Sequence, residues 1–136
     1  NCRFGDPEAQ VILPRLRTDL VSAMLATTNA SLHHFDMRWD PRAAVTVVMA
    51  SKGYPGSYEK GSVIRAIDAA DTVPDCNVFH AGTALADNGN LIAVGGRVLA
   101  VTALGDDAES ARRNAYAGVA KIDWQGGFYR SDIAKT

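Results

Sequence analysis

Cysteine is scarce in this chain, and the few cysteines present are not arranged for metal or redox chemistry. The 136 residues contain two cysteines, Cys2 and Cys76, and no Cys-x-x-Cys pair. A zinc site or a dithiol redox centre therefore has no support. Two cysteines in a chain of this size are more typical of reduced thiols in a cytosolic protein than of a disulfide framework, so we expect both to be unpaired.

Long apolar runs and an excess of charge of one sign are also missing. The longest apolar stretches, Ala43–Ala50 and Val98–Leu104, are far too short to span a bilayer. The net charge is −1, which leaves no basic field to hold a nucleic-acid backbone. No charged-then-apolar signal segment opens the chain. We therefore expect neither a membrane nor a nucleic acid as a partner.

The composition is that of an ordinary globular protein, with 47% hydrophobic and 21% charged residues. The length suits one domain, or one small domain with an appended segment. Asn1, which is not Met, opens a dense polar cluster. Natural termini are usually plain, so this cluster predicts that the chain is cut from a longer protein.

The first third of the chain has a helical pattern. Residues 8–30 carry apolar side chains at every fourth position, which predicts a helix. These side chains are Ile12, Leu16, Leu20 and Met24. Pro14 lies inside the pattern and must mark either a kink or the first turn of a second helix. We place a division near residue 38, which separates residues 1–38 from residues 39–136.

The rest of the chain is rich in strand patterns. Residues 43–50 are apolar and β-branched with little alternation, which predicts a strand covered on both faces. Residues 97–104 form another β-rich run. Strands are also predicted over Asn77–Ala81 and Leu91–Val94, joined in a hairpin through Asp87–Asn90. The Asn-Gly pair in that turn tolerates the positive φ that a tight hairpin needs.

A short strand is predicted over Ser62–Ile67 and an amphipathic helix over residues 107–122. The helix has one face of apolar residues at spacings of three and four. Asp106 followed by Glu109 resembles a capping box. The pattern as a whole predicts an α+β fold: a leading helical segment, a small and mostly antiparallel sheet, and a helix packed on that sheet.

Residues 1–8 combine an amide, a guanidinium and two carboxylates around a glycine. Asn1 could supply an oxygen to magnesium, and Arg3 could grip a phosphate or carboxylate with its planar fork. Asp6 and Glu8 complete the cluster. The alternative is a solvated loop with Glu8 at a helix N-terminus, where the helix dipole favours it.

Three further clusters place glycine beside a cation or a histidine near the end of a predicted strand. They are Lys52-Gly53-Tyr54-Pro55-Gly56, His80-Ala81-Gly82-Thr83 and Gly95-Gly96-Arg97. Glycines let a backbone approach an anionic ligand closely. The alternative is that these glycines satisfy turn and bulge geometry, and that the charged side chains make separate structural hydrogen bonds.

Five motifs in this order resemble the glycinamide ribonucleotide synthetase (phosphoribosylamine–glycine ligase) family of ATP-grasp enzymes. Asn1–Gln10 resembles the end of the family's ATP-grasp domain. Four later motifs resemble its C-terminal domain. They are Ala50–Gly56, Val78–Thr83, Gly95–Leu99 and Tyr129–Ile133. Each motif alone is weak, and their order and spacing carry the resemblance, which covers essentially the whole chain.

The resemblance implies an ATP-dependent ligase of purine biosynthesis. The family joins glycine to phosphoribosylamine through a glycyl phosphate intermediate and uses Mg²⁺ or Mn²⁺. Asn1 matches the Asn of the family's Glu-Phe-Asn metal motif, and the matching Glu would lie two residues upstream. The nucleotide-binding lysines would also lie upstream, so we expect this chain alone to be inactive and to need the upstream domains as its partner.

The resemblance also suggests roles for individual residues in the parent enzyme. Asn1 is assigned to the metal and Arg3 to the transferred phosphoryl group. Asp6 and Glu8 would orient Arg3 or a substrate amine, so these two residues and Arg3 form the candidate catalytic set.

The C-terminal domain's share of the substrate pocket is assigned by chemical type and loop position alone. Its candidate residues are Lys52, Gly53, His80, Gly82, Thr83 and Arg97. We expect at least two of the three charged or ionisable side chains, Lys52, His80 and Arg97, to face one cleft on the side that residues 1–8 also face.

Two alternatives stay open at this stage. Another ATP-grasp ligase, such as a carboxylating relative, would keep the fold and the Asn–Arg chemistry but change the acceptor; Phe4–Glu8 fits the glycine ligase better. A non-catalytic structural or docking domain is the second alternative. The purine pathway that the resemblance implies predicts a cytoplasmic location.

Overall fold

The N-terminal segment is broken into short helices rather than one long one. A computed structural model describes residues 2–135. The elements here are α1 (Glu8–Ile12), a 3₁₀-helix (Leu13–Arg15), α2 (Leu20–Thr28) and a second 3₁₀-helix (Leu32–His34). Helical structure over residues 8–30 is thus divided into short pieces, and of the two possibilities left open at Pro14 the first turn of a new helix is confirmed. Pro14 lies in the first turn of the 3₁₀-helix, where a backbone N–H would have no partner within the helix, so proline loses no hydrogen bond there. The helix ends before Leu16, whose backbone is extended.

Helix α2 starts afresh after this break. Its N-cap is Asp19, whose carboxylate accepts a hydrogen bond of 2.7 Å from the backbone N–H of Ser22. The helix buries only Ala23 and Ala26, whereas Met24 is exposed. The apolar stripe expected from the fourfold spacing is thus not the buried face.

The main sheet has four antiparallel strands in the order β2-β5-β1-β6. The strands are β1 (Ala43–Ser51), β2 (Cys76–His80), β5 (Arg97–Gly105) and β6 (Gly127–Phe128). The two long strands predicted from the β-branched runs are confirmed. They pair along their whole length, with Val47 opposite Val101.

A separate hairpin consists of β3 (Thr83–Leu85) and β4 (Leu91–Ala93). Its turn contains Gly89 at φ +80°, as the Asn-Gly signal predicts. The strand predicted over Asn77–Ala81 is present as β2, but its predicted pairing is wrong, because residues 76–80 pair with β5 and not with β4. The strand predicted over Ser62–Ile67 is also wrong. That segment makes isolated bridges through Val63 and Arg65 before a 3₁₀-helix, Ile67–Thr72.

Helix α3 (Ala108–Lys121) covers one face of the sheet, and its prediction is confirmed. Its N-cap is Asp107, one residue later than expected, because Asp107 and Ser110 exchange reciprocal hydrogen bonds. The small residues of α3, including Gly118, lie against core side chains of β5 such as Val101. This interface is the hydrophobic core.

The opposite face of the sheet contacts the N-terminal segment. Thr102 and Thr46 form a hydrogen bond of 2.7 Å there, with Thr102 fully buried. The segment is also fixed by Asp40, whose side chain is 2% exposed. Arg42 donates to both carboxylate oxygens of Asp40, at 3.1 and 3.0 Å, and Arg17 donates to one of them. The strand β1 is therefore buried on the α3 side and only partly covered on the other, so the predicted cover on both faces is incomplete, whereas the α+β fold is confirmed.

Candidate functional site: a cleft with two arginines

A cleft of about 430 Å³ opens on the sheet face that the N-terminal segment contacts. Its floor is the outward-facing row of β1, and its walls come from four other parts of the chain. The lining residues are Pro7, Thr46, Val48, Ala50, Tyr54, Arg97, Phe128, Tyr129, Arg130 and Ile133. The cleft is thus mostly apolar and aromatic, with two arginine residues in its lining.

Arg97 reaches this cleft because β5 has a bulge. Met49 pairs with Leu99, but the next residue of β1, Ala50, pairs with Arg97. One extra residue of β5 is therefore accommodated at Val98, and the alternation of faces shifts there. As a result Arg97 lies on the same side as Ala50.

Asp6 holds Arg97 from the N-terminal segment. The Nε of Arg97 lies 3.1 Å from Oδ2 of Asp6, with both side chains partly exposed. The other oxygen of Asp6 accepts a hydrogen bond of 2.7 Å from the Gln10 amide. The arrangement ties α1 to the rim of the cleft and fixes the guanidinium group from its Nε side.

Arg130 is the second cation of the cleft. Its Nε and Nη2 donate to the two oxygens of Asp132 at 2.9 and 2.7 Å. This charge-assisted pair lowers the pKa of the Asp132 carboxyl and raises that of Arg130, and the main cause is the side-chain hydrogen bonding between them. The Arg130 carbonyl accepts a bond of 2.6 Å from the Tyr116 hydroxyl of α3, which anchors this part of the tail.

The structure does not bring Lys52, His80 and Arg97 together in one cleft. Lys52 lines a different cavity, with Glu59 and Gln125. His80 lies opposite Leu99, whose side chain is in the core on the α3 side. The Nδ1 of His80 lies 3.0 Å from the Thr83 hydroxyl. Of these three predicted side chains, Arg97 alone lines the cleft with two arginines.

The glycines near these residues have structural tasks. A Cβ on Gly82 would lie 2.6 Å from the Arg97 carbonyl oxygen, and one on Gly96 would lie 2.3 Å from the Tyr54 ring. Gly53 has φ +99° and would clash with the backbone of Ser57. These close approaches explain the glycine-rich loops through packing, and the ligand-binding roles of Gly53, Gly82 and Thr83 stay predictions.

The remaining candidates lie at the start of the chain. The Nη1 of Arg3 lies 3.3 Å from Oε2 of Glu8, on the exposed surface. The orienting role expected for Glu8 fits this contact, whereas Asp6 contacts Arg97 instead of the Arg3 guanidinium through its carboxylate. Asn1 lies outside the described residues.

The described part of the chain does not fit a magnesium site by itself. Among residues 2–135 no group of three His, Cys, Asp or Glu side chains could hold a metal ion. The carboxylates of Asp6 and Glu8 are engaged by arginines. We therefore derive no step through a metal from these residues.

Sequence reasoning missed Arg130 as a site residue. The motif Tyr129–Ile133 contains this arginine, but residue type alone does not single it out. The signal was an Arg and an Asp two positions apart next to aromatic residues, a pattern that local hydrogen bonding can turn into a fixed guanidinium group.

The sequence matches one protein-family profile, described as "Phosphoribosylglycinamide synthetase, C domain", over residues 44–136. The chain belongs to this family. It is 53% identical to phosphoribosylamine–glycine ligase, chloroplastic, of Arabidopsis thaliana over 134 residues, which cover 98% of the chain and 25% of the relative. It is 50% identical to phosphoribosylamine–glycine ligase of Pseudomonas syringae pv. tomato, over 98% of the chain and 30% of the relative.

The family's fold is also found in a solved structure. The crystal structure of phosphoribosylamine–glycine ligase from Thermotoga maritima matches with a TM-score of 0.72 and 34% identity. The match covers 98% of this chain and 32% of that protein. The chain thus spans about a third or less of these three relatives, and its sheet-and-helix fold corresponds to part of them. Among residues 2–135 the structure has no helix long and apolar enough to cross a membrane.

Proposed function

We propose that this chain is the carboxyl-terminal part of a ligase that joins glycine to 5-phosphoribosylamine, giving glycinamide ribonucleotide, ADP and phosphate. The observation that carries the proposal is the 53% identity to a relative named phosphoribosylamine–glycine ligase across 98% of this chain. A carboxylating relative or a purely structural domain is less well supported, because the relatives described above carry the glycine-ligase name.

In this proposal the chain contributes the cleft on the second face of the sheet. Arg97 contacts the anionic part of phosphoribosylamine, and Asp6 holds Arg97 from its Nε side. Arg3, paired with Glu8, contacts the transferred phosphoryl group. Both roles use the planar guanidinium fork, which matches phosphate oxygens in two-point contacts.

The reaction needs ATP and a divalent cation, Mg²⁺ or Mn²⁺, which neutralises phosphate charge when bound. The glycine carboxylate attacks the γ-phosphorus of ATP, which gives glycyl phosphate and ADP. The amine of phosphoribosylamine then attacks the glycyl carbonyl carbon, the C–N bond forms, and phosphate leaves as the amine loses a proton. We place the enzyme in the cytoplasm, and in the longer protein Asn1 would be a metal ligand.

A chimera tests this function directly. Residues 1–136 replace the matching part of the Pseudomonas syringae ligase, to which they are 50% identical. We expect the chimera to form glycinamide ribonucleotide and ADP in equal amounts when glycine, phosphoribosylamine and magnesium–ATP are supplied. A folded chimera that binds ATP but makes no product would contradict the proposal. A product that forms from bicarbonate, without glycine, would favour the carboxylating alternative.

A further inference from the structure

The lining of the cleft includes a second arginine, Arg130, that the proposed function has not used. Arg130 and Arg97 both line it, although Arg130 comes from the tail after β6 and Arg97 from the start of β5. They approach the same space from different parts of the chain. Each is fixed by a carboxylate, Asp132 and Asp6 respectively.

We infer that Arg130 joins Arg97 in binding the phosphate of a pentose 5-phosphate in this cleft. The inference rests on the proposed function, because it assigns the phosphate subsite of that ligase's amine substrate. A phosphomonoester carries close to two negative charges at neutral pH, so two cations suit it better than one. The carboxylates keep both guanidinium groups ordered, which reduces the entropy lost on binding.

The carboxylate contacts leave donors for a ligand. Asp6 contacts only the Nε of Arg97, and among residues 2–135 no hydrogen bond or ion pair engages its Nη1 or Nη2. Asp132 occupies Nε and Nη2 of Arg130, so Nη1 has no protein partner in that same part of the chain. Three terminal nitrogens therefore remain to bind phosphate oxygens.

The rest of the cleft suits the sugar rather than a second charged group. Its other lining residues are apolar, aromatic or hydroxyl-bearing, with Tyr54 and Phe128 presenting rings. Tyr54 is held against Gly96, where any side chain would collide with its ring. Such a wall can cover one face of a ribose while the two arginines bind its 5-phosphate.

Tail anchoring supports a binding role for Arg130 because the backbone around it is fixed. Tyr116 donates to the Arg130 carbonyl at 2.6 Å, and Arg112 donates to the Ser131 carbonyl at 2.8 Å. A side chain on a mobile tail would lose more entropy on binding. Asp132 is thus a positioning residue, and Arg130 is the residue that touches the ligand.

The test measures ligand affinity in the full-length protein that contains this chain. Ribose 5-phosphate, ribose and inorganic phosphate are titrated against the wild type and Arg130→Gln by calorimetry. We expect ribose 5-phosphate to bind the wild type and Arg130→Gln to raise its Kd about tenfold, the loss of one charge-assisted contact at an exposed site. The weaker affinity for ribose should not change.

The matched control is Arg113→Gln on the outer face of α3. Arg113 is 63% exposed and Arg130 is 69% exposed, and each faces a carboxylate. The control should leave the Kd unchanged. If Arg130→Gln melts at a lower temperature than the wild type, Arg130→Lys keeps the charge without the fork and should still raise the Kd severalfold.

The outcomes separate this inference from the proposed function. Unchanged affinity of both Arg130 variants for ribose 5-phosphate, in a protein that still makes glycinamide ribonucleotide, overturns the inference and leaves the function standing. An equal rise in the Kd for ribose and for ribose 5-phosphate also overturns it, because Arg130 would then not contact the phosphate. Turnover adds a second readout, in which Arg130→Gln raises the KM for phosphoribosylamine while the KM for ATP stays constant.

Discussion

Arg97 and Asp6 form an ion pair with 3.1 Å between Nε and Oδ2, and this pair joins the main sheet to the N-terminal segment. The two residues are 91 positions apart in the sequence. One comes from a strand end and the other from the loop before α1. Their contact makes the rim of the cleft and holds the Arg97 guanidinium group from its Nε side.

The first prediction concerns Arg97 itself. In the full-length protein, Arg97→Ala should raise the KM for phosphoribosylamine about tenfold or more, the loss of a charge-assisted contact to phosphate. The KM for ATP should stay nearly constant, since no part of the proposed nucleotide site is changed. Arg113→Ala, on the surface of α3, is the control. Equal increases in both KM values would indicate damaged folding instead of a lost substrate contact.

The second prediction concerns the pH dependence of stability at Asp40. Hydrogen bonds from Arg42, more than those from Arg17, hold the pKa of this carboxyl well below its usual range. A depressed pKa contributes stability above the unfolded value, about 3.9, and this contribution is lost as the pH falls toward the folded value. Asp40→Asn should therefore lower the melting temperature at pH 7, and the difference from the wild type should shrink below pH 4.

Asp36→Asn is the matched control for that change. Asp36 is 87% exposed and lies 4.0 Å from Arg38, so its contribution should be small at every pH. The melting temperatures of the wild type and of Asp40→Asn are compared from pH 7 to pH 3. A difference that stays the same over this range would show that the Asp40 cluster does not stabilise the fold through its charge.

Helices and strands with a clear local pattern can be predicted from the sequence, whereas the pairing of strands that are distant in the sequence cannot. The β-branched runs and the amphipathic helix predict β1, β5 and α3 because periodicity reports burial. The Asn-Gly turn predicts a hairpin, but the sequence does not say that residues 83–85, and not 76–80, form its other strand. Register depends on tertiary contacts that a single sequence does not display.

The candidate site shows the same limit. Residue type singled out Arg97, but its position in the cleft depends on a bulge opposite Ala50. Arg130 cannot be assigned to the cleft from the sequence, because Arg97, the other arginine of the cleft, is more than 30 positions away. Lys52 and His80 were grouped with Arg97 by their glycine neighbours, and those glycines serve close backbone packing.

The third prediction concerns helix packing at Gly118. A Cβ there would lie 2.5 Å from the Cys76 sulfur and 2.9 Å from a Val101 methyl. Alanine normally favours a helix over glycine by about 1 kcal/mol, but overpacking a core costs about 1–3 kcal/mol. Gly118→Ala should therefore lower the free energy of unfolding, measured in urea. Cys76→Ala in the same chain should recover part of the loss; a more stable Gly118→Ala variant would contradict this packing.

The fourth prediction concerns the two thiols. Both cysteines are free in the structure, with Cys2 exposed and Cys76 buried. Burial raises the pKa of the Cys76 thiol, and the Asp71 charge adds to this, so its reactive thiolate is disfavoured. In this 136-residue chain a disulfide reagent should modify Cys2 quickly and Cys76 only on unfolding. Cys2→Ser should remove the fast phase, and two equally fast phases in the native wild type would contradict the buried position.

The central claim is that the cleft lined by Arg97 and Arg130 binds the phosphate of the ligase's amine substrate. A crystal structure of the full-length protein with glycinamide ribonucleotide bound tests it most directly. We predict the product phosphate within hydrogen-bonding distance, about 2.7–3.2 Å, of a guanidinium nitrogen of both arginines, with the ribose against Tyr54 or Phe128. A product phosphate bound elsewhere, with the cleft free of ligand, would contradict the account.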